Sequence, residues 1–88
     1  MANVLKMKIA TAGSLLVDSE VTAAECPCTT GYIGILPGHV PLVSTLGAGT
    51  LTYTPAGAST PKTVNVKDGF IQVLDDCVRV LADSAEFL

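Results

Sequence analysis

The sequence predicts an all-β protein, a small antiparallel β-sandwich or flattened barrel of about eight to ten short strands. Three observations lead to this prediction. Apolar and polar residues alternate with a period of two along much of the chain, which is typical of strands with one buried face. Glycine, proline and aspartate interrupt this alternation at short intervals. The composition, 49% hydrophobic and 15% charged over 88 residues, excludes disorder and a coiled coil and fits one domain, residues 1–88.

The N-terminal part of the chain predicts three strands. Residues 5–9 alternate apolar and polar side chains, and this pattern ends near Gly13. Two further short strands are expected at residues 15–17 and 21–26, with a polar corner at residues 18–20 between them.

Two more strands are predicted on either side of a flexible loop. They cover residues 51–54 and 63–66. The loop between them, residues 55–61, is rich in alanine, glycine and serine, which is typical of a hairpin tip. The sequence Lys-Asp-Gly that ends at Gly69 predicts a tight turn before the next strand.

The C-terminal part predicts a β-hairpin. Alternating segments at residues 70–74 and 78–82 are joined by two turn-forming aspartates, Asp75 and Asp76. The last residues, 82–88, form either one helical turn or a fraying tail. The residues that we assign to the buried core of this hairpin are Phe70, Ile71 and Leu81.

Charge and hydropathy exclude several classes of function. Eight acidic residues against five lysines and arginines give a net charge of −3, so a surface for nucleic acid or anionic lipid is not expected. The longest uncharged stretch, Cys26 to Pro61, is interrupted too often by glycine and proline to cross a membrane. Lys6 and Lys8 lie within the only apolar segment near the N-terminus, which argues against a signal peptide and favours the cytoplasm.

The three cysteines, Cys26, Cys28 and Cys77, do not suggest a disulfide framework, because their number is odd and the chain carries no secretion signal. The spacing of the first two, with one residue between them, is too short for the usual zinc motifs. They are expected to pack as small apolar side chains. The alternative of a thiol enzyme or metal-dependent domain requires the sulfurs to lie within about 4 Å of one another or of His39.

No catalytic site, cofactor site or metal site is predicted. The chain has one histidine, and it has no phosphate-binding glycine loop, dinucleotide fingerprint or calcium loop. The adjacent carboxylates of Asp75 and Asp76 resemble an acid–base pair, but on a turn between strands they are expected to point into water in different directions.

The segment from Gly31 to Leu42 is unusually rich in conformationally special residues. Pro37 fixes one φ angle, Gly38 is expected to adopt a left-handed one, and Pro41 removes a backbone donor. His39 is therefore expected on a stiff corner, where its ring either hydrogen-bonds locally or contacts a partner.

This segment resembles the central signature of the epsilon subunit of F-type ATP synthases. Residues 7–13, with Leu16 and Val17, are similar to the opening strand and turn of that family. Residues 68–73 and 78–85 are similar to its closing hairpin, including the sequence Val-Leu-Ala-Asp. The three blocks occur in the family's order and cover nearly the whole chain.

The resemblance implies a rotor subunit without an active site of its own. The N-terminal domain in that family is a ten-strand β-sandwich at the foot of the central stalk. It binds the gamma subunit, rests on the c-ring and helps to couple proton translocation to ATP synthesis. The chain would then be peripheral to an energy-transducing membrane, on the cytoplasmic side of a bacterial inner membrane, and associated with it only through the complex.

The resemblance also assigns contact residues by position. Tyr32 departs from the family pattern, because enterobacterial relatives usually carry an acidic residue there, so an aromatic contact is expected in place of an ion pair. The residues that match the gamma-binding positions are Thr11, His39, Val40 and Leu42. The residues that match the loop facing the c-ring are Thr30, Gly31 and Tyr32.

Most bacterial members continue with a two-helix C-terminal domain that binds ATP or inhibits hydrolysis. This sequence stops at Leu88 without those helices, and its apolar end, Phe87 and Leu88, favours a naturally short form that packs on the last strand. A stand-alone β-sandwich that binds a ligand or peptide is the alternative function, and it requires His39 to line a concave pocket.

Overall fold

The computed structural model describes residues 4–87, and every regular element within them is a β-strand. The all-β prediction is confirmed. The strands are β1 Leu5–Thr11, β2 Ser14–Cys28, β3 Gly31–Ile35, β4 Leu42–Leu46, β5 Gly49–Pro55, β6 Lys62–Leu74 and β7 Cys77–Phe87.

These seven strands of residues 4–87 are fewer and longer than the eight to ten that the sequence predicts. The predicted polar corner at residues 18–20 does not interrupt β2, because Asp18 and Glu20 pair with Lys8 and Lys6 of β1 and all of their side chains face solvent. A strand whose side chains are exposed accepts polar residues without breaking. Two predicted strands are therefore one strand of 15 residues.

The predicted tight turn at Gly69 is a corner inside β6 and not a chain reversal. Residues 62–66 of β6 pair with β5, whereas residues 69–73 pair with β4. Asp68 and Gly69 adopt φ angles of 56° and 130° where the strand changes partners. A Cβ atom at Gly69 would overlap with the Leu81 carbonyl oxygen, so only glycine fits this corner.

The strands close into a flattened barrel. Successive pairings join β1 to β2, β2 to β5, β5 to β6, β6 to β7 and β7 back to β1. The β1–β7 pair is parallel, in contrast to the antiparallel pairing of the other strands. β4 continues the sheet beyond β6, and β3 is added beside β2.

The barrel encloses an apolar core in which alternate residues of each strand point inward. Leu5, Met7 and Ile9 are fully buried, as the sequence predicts, and so is Ile71. Phe70 and Leu81 were expected in the core, but they are 59% and 51% exposed. Their inward-pointing neighbours on β6 and β7 already fill the core, so a period of two places Phe70 and Leu81 on the outer face.

The C-terminal residues are part of the sheet. Residues 84–87 of β7 pair with residues 64–67 of β6, so the expected helical turn or fraying tail is wrong up to Phe87. Phe87 lies opposite Val64 and is half exposed. Leu88, which was expected to pack on the last strand, lies outside the described residues.

Candidate protein-binding surface

The corner that carries His39 lies between β3 and β4. The backbone N–H of His39 donates a hydrogen bond to the Leu36 carbonyl oxygen at 3.1 Å, and Gly38 adopts a φ of 88°. With Pro37 at the second position, this geometry is that of a type II turn. The predicted left-handed conformation of Gly38 is confirmed. We refer to residues 36–41 as the His39 corner.

The imidazole of His39 is held by its own neighbour. Its Nδ1 lies 2.6 Å from the Val40 carbonyl oxygen, which can only accept, so Nδ1 donates this hydrogen bond. Val40 itself is 70% exposed, while His39 is half-buried. Leu36 and Pro41, at the two ends of the corner, each line a cleft, whereas His39 between them lines neither of these two clefts.

Of the two other residues assigned to gamma binding, Leu42 adjoins this corner and Thr11 lies apart from it. Leu42 begins β4 and packs half-buried against the core. Thr11 ends β1, where its hydroxyl lies 3.3 Å from that of Ser14, beside the part of β7 that contains Leu81. The structure therefore places His39, Val40 and Leu42 together, whereas Thr11 lies on β1 at the opposite end of the sheet, level with the last residues of β4.

Between these two ends lies an exposed apolar surface that sequence reasoning missed. Phe70 is directly opposite Leu81, and Val43 is opposite Gln72, so that Val43 is a diagonal neighbour of Phe70 and Leu74. All four apolar side chains are at least 45% exposed. A contiguous apolar patch on a small protein marks a contact surface more often than isolated exposed residues do. We call this surface the outer apolar face, defined by Val43, Phe70, Leu74 and Leu81.

The loop assigned to the c-ring lies at the other end of β4 from the His39 corner. Thr29, which precedes it, bonds through its hydroxyl to that of Thr45 at 2.6 Å and donates its backbone N–H to the Thr45 carbonyl at 3.1 Å. Thr30, Gly31 and Tyr32 are all exposed. This loop is held at the end of β4, about 13 Å along the strand from Leu42.

Tyr32 is exposed over 55% of its surface and is nevertheless fixed. Its hydroxyl accepts a hydrogen bond from the backbone N–H of Thr50 at 3.3 Å, in the first part of β5. The phenol still has its own proton to donate. The side chain therefore offers a ring face and one hydrogen-bond donor to a partner.

The cysteines do not form a reactive cluster. Cys26 and Cys28 are buried in β2, and Cys77 is half-buried at the start of β7. Burial, followed by the neighbouring Cys28 and Glu25, raises the pKa of Cys26 to about 12, so this thiol stays protonated at neutral pH. Residues 4–87 contain no group of three histidine, cysteine, aspartate or glutamate side chains that could hold a metal ion.

Comparison with known proteins gives the family. The model of the ATP synthase delta/epsilon chain β-sandwich domain matches residues 4–88. The chain belongs to this family. No helix in the described part of the chain is long and apolar enough to cross a membrane.

Two curated relatives of this chain are ATP synthase epsilon chains. The ATP synthase epsilon chains of Solibacter usitatus and Koribacter versatilis are 46% and 38% identical to it over 86 residues. Both alignments include 98% of this chain but only 63% and 59% of the relatives. The chain thus spans about three-fifths of the length of these relatives.

Solved structures have the same fold. A chain of the Euglena gracilis mitochondrial ATP synthase, from a structure of OSCP, F1 and c-ring, superposes with a TM-score of 0.90 and 21% identity, over 99% of this delta/epsilon chain and 55% of the other. A chain of the Tetrahymena thermophila mitochondrial ATP synthase central stalk and c-ring gives 0.78 and 9%, over 92% and 64%. At such identities the likeness concerns the fold alone.

Proposed function

We propose that the chain is a non-catalytic subunit of the central stalk of an F-type ATP synthase, which binds the gamma subunit and the c-ring and helps to couple proton translocation to ATP synthesis. The observation that carries the proposal is the alignment with epsilon chains along 98% of its length. The gamma and c-ring contacts come from the family resemblance, and the exposed surfaces of the structure fit both.

The gamma subunit binds the outer apolar face and the His39 corner. On this face Phe70 and Leu81 lie side by side. Removing their exposed apolar area from water makes a favourable contribution to the free energy of binding. The corner next to it is stiffened by two prolines and a type II turn. A rigid surface of this kind loses little conformational entropy when a partner binds, because few torsions must be ordered.

The c-ring contacts the loop at Thr30, Gly31 and Tyr32. This loop and the His39 corner lie at opposite ends of β4, so that neither contact blocks the other. A subunit that connects two partners needs such a separation. The chain would be peripheral to a bacterial inner membrane, on its cytoplasmic side, through these contacts.

Co-purification with gamma tests the proposal. The tagged chain is expressed with the gamma subunit of the same organism, and the eluate is weighed by native mass spectrometry. A one-to-one complex is expected. A folded chain, judged by circular dichroism, that elutes without gamma contradicts the proposal.

A further inference from the structure

The His39 corner is tied to a distant turn by one side chain. The backbone N–H of Gly38 donates a hydrogen bond to Oδ1 of Asp76 at 2.7 Å, across 38 positions of sequence. Asp76 lies in the turn between β6 and β7, and its backbone carbonyl accepts a hydrogen bond from the N–H of Lys6 at 2.8 Å. Asp76 therefore joins the turn, the first strand and the His39 corner.

The conformation of the turn does not by itself require a carboxylate at this position. Asp75 and Asp76 both adopt left-handed backbone conformations, with φ angles of 50° and 59°. Hairpin turns with two such angles favour asparagine and glycine, and glycine carries the least strain there. Asp75 is exposed, whereas Asp76 is half-buried with its carboxylate on Gly38. The two aspartates share a backbone conformation, but of the two only Asp76 accepts the hydrogen bond from Gly38.

The His39 corner has few backbone donors with which to hold its shape. Pro37 and Pro41 have no N–H group. The N–H of His39 closes the local turn onto Leu36, and the N–H of Gly38 goes to Asp76. The bond to Asp76 is thus a link from this corner to the body of the barrel, and a carboxylate acceptor makes it stronger than a bond between neutral groups.

We propose that Asp76 is a positioning residue for gamma binding: its carboxylate holds Gly38 so that the type II turn presents His39 and Val40 in the orientation that the partner takes. The inference rests on the proposed function. When the hydrogen bond from Gly38 to Asp76, which we call the tie, is present, the corner is ordered before binding. Without it, the corner must be ordered by the partner, and part of the binding free energy is lost.

Matched variants of the two aspartates separate this role from the stability of the turn. Asp76→Gly removes the carboxylate and keeps a residue that favours a left-handed φ. Asp75→Gly makes the same chemical change one position earlier and leaves the tie intact. Asp76→Asn retains an acceptor oxygen and tolerates positive φ, so it should partly rescue the tie. Circular dichroism melts establish that all three variants fold.

Two measurements are made on each variant and on the wild-type chain. Hydrogen exchange by NMR reports the protection of the Gly38 amide in the isolated chain, and calorimetric titration reports the affinity for gamma. In Asp76→Gly, the amide protection is expected to fall about tenfold and the affinity about three- to tenfold. In Asp75→Gly, both are expected to stay within about twofold of wild type. Asp76→Asn, whose acceptor is neutral, is expected to lie between the wild type and Asp76→Gly in both measurements.

Each contrary result identifies which step is wrong. If Gly38 in Asp76→Gly exchanges as slowly as in the wild type, the tie does not hold the corner. If the protection falls but gamma binds Asp76→Gly as tightly as wild type, the positioning role is wrong although the tie exists. If the wild-type chain does not bind gamma at all, the proposed function and the positioning role fail together, while the exchange rate still reports the tie.

Discussion

Phe70 and Leu81 face each other across the β6–β7 pair, on the side of the sheet that points away from the core. Their immediate neighbours Ile71 and Val80 are also paired with each other, and both are buried. One step along the two strands thus separates a core pair from a surface pair. This relationship places a large aromatic and a large aliphatic side chain where a partner can cover them.

The outer apolar face should matter for binding and hardly for folding. Phe70→Thr and Leu81→Thr place a residue with high strand propensity on each exposed position, so we expect each to change the free energy of unfolding by less than about 1 kcal/mol. The double variant should bind gamma at least about tenfold more weakly, because it loses a central aromatic contact. Calorimetric titration and urea melts measure the two effects.

Phe87→Thr is the matched control for this pair. Phe87 is 50% exposed, against 51% for Leu81, but it lies at the end of β7, opposite Val64 and outside the outer apolar face. Its affinity for gamma should equal that of wild type. An equal loss in the control would mean that exposed apolar area in general, and not this face, governs binding.

Core and surface positions of the same hairpin should respond differently to truncation. Ile71→Ala removes a fully buried side chain and should cost about 2–5 kcal/mol of the free energy of unfolding. Phe70→Ala removes a larger side chain, but an exposed one, and should cost less than about 1.5 kcal/mol. The urea midpoints of the two variants give the comparison, and equal shifts would mean that the inner and outer faces are wrongly assigned.

A charged residue at the His39 corner should leave the stability of the fold nearly unchanged but weaken binding to gamma. Val40→Asp places a carboxylate on a side chain that is 70% exposed, so the melting temperature should stay within a few degrees of wild type, about the effect of a small change in stability. Buried against gamma, the unpaired charge should weaken binding about tenfold or more. Ser59→Asp, at the exposed loop before β6, is the control and should bind normally.

The corner of β6 should depend on glycine. Gly69→Ala introduces a Cβ that overlaps with the Leu81 carbonyl oxygen, at a φ that side chains rarely adopt, so we expect a loss of about 3 kcal/mol or more. Gly13→Ala is the control, because an added Cβ there meets open space. Chemical denaturation of both variants measures their free energies of unfolding. A Gly69→Ala protein as stable as the control would mean that β6 does not bend at this residue.

The sequence predicts that the chain forms strands, but it does not show for every residue which face of the sheet it lies on. The alternation at Leu5, Met7 and Ile9 identifies an inner face directly, because lysines occupy the positions between them. On β6 and β7 the residues on both faces are partly apolar, so hydrophobicity alone assigns Phe70 and Leu81 to the core. Because side chains alternate between the two faces of a strand, burial of Ile71 and Val73 requires Phe70 to lie on the outer face.

Long-range contacts account for what the sequence leaves open at the site. The residues that bend the His39 corner are neighbours in sequence, and the left-handed Gly38 is predictable from the adjacent Pro37. The bond from Gly38 to Asp76 joins residues that only the folded barrel brings together. The same is true of Tyr32, whose hydroxyl accepts from Thr50.

Cys26 should make the protein less stable at high pH. Its pKa is raised from 9.0 to about 12 in the folded protein, chiefly by burial. Below pH 9 the thiol is protonated in both states and has no effect. Between pH 9 and 12 the unfolded chain releases the proton while the folded chain keeps it, so the free energy of unfolding falls by up to about 1.4 kcal/mol per pH unit.

The comparison of wild type with Cys26→Ala isolates this contribution. Burial also raises the pKa of Tyr53 above its ordinary value of 10.0, and this contributes to the fall in stability at high pH in both proteins. The variant should be less stable at pH 7, because a buried side chain is truncated, and the difference should shrink between pH 9 and 11 as the thiol of the unfolded wild type ionises. Urea unfolding at several pH values measures it. A difference that stays constant over this range would mean that Cys26 ionises as readily in the folded protein as in the unfolded chain.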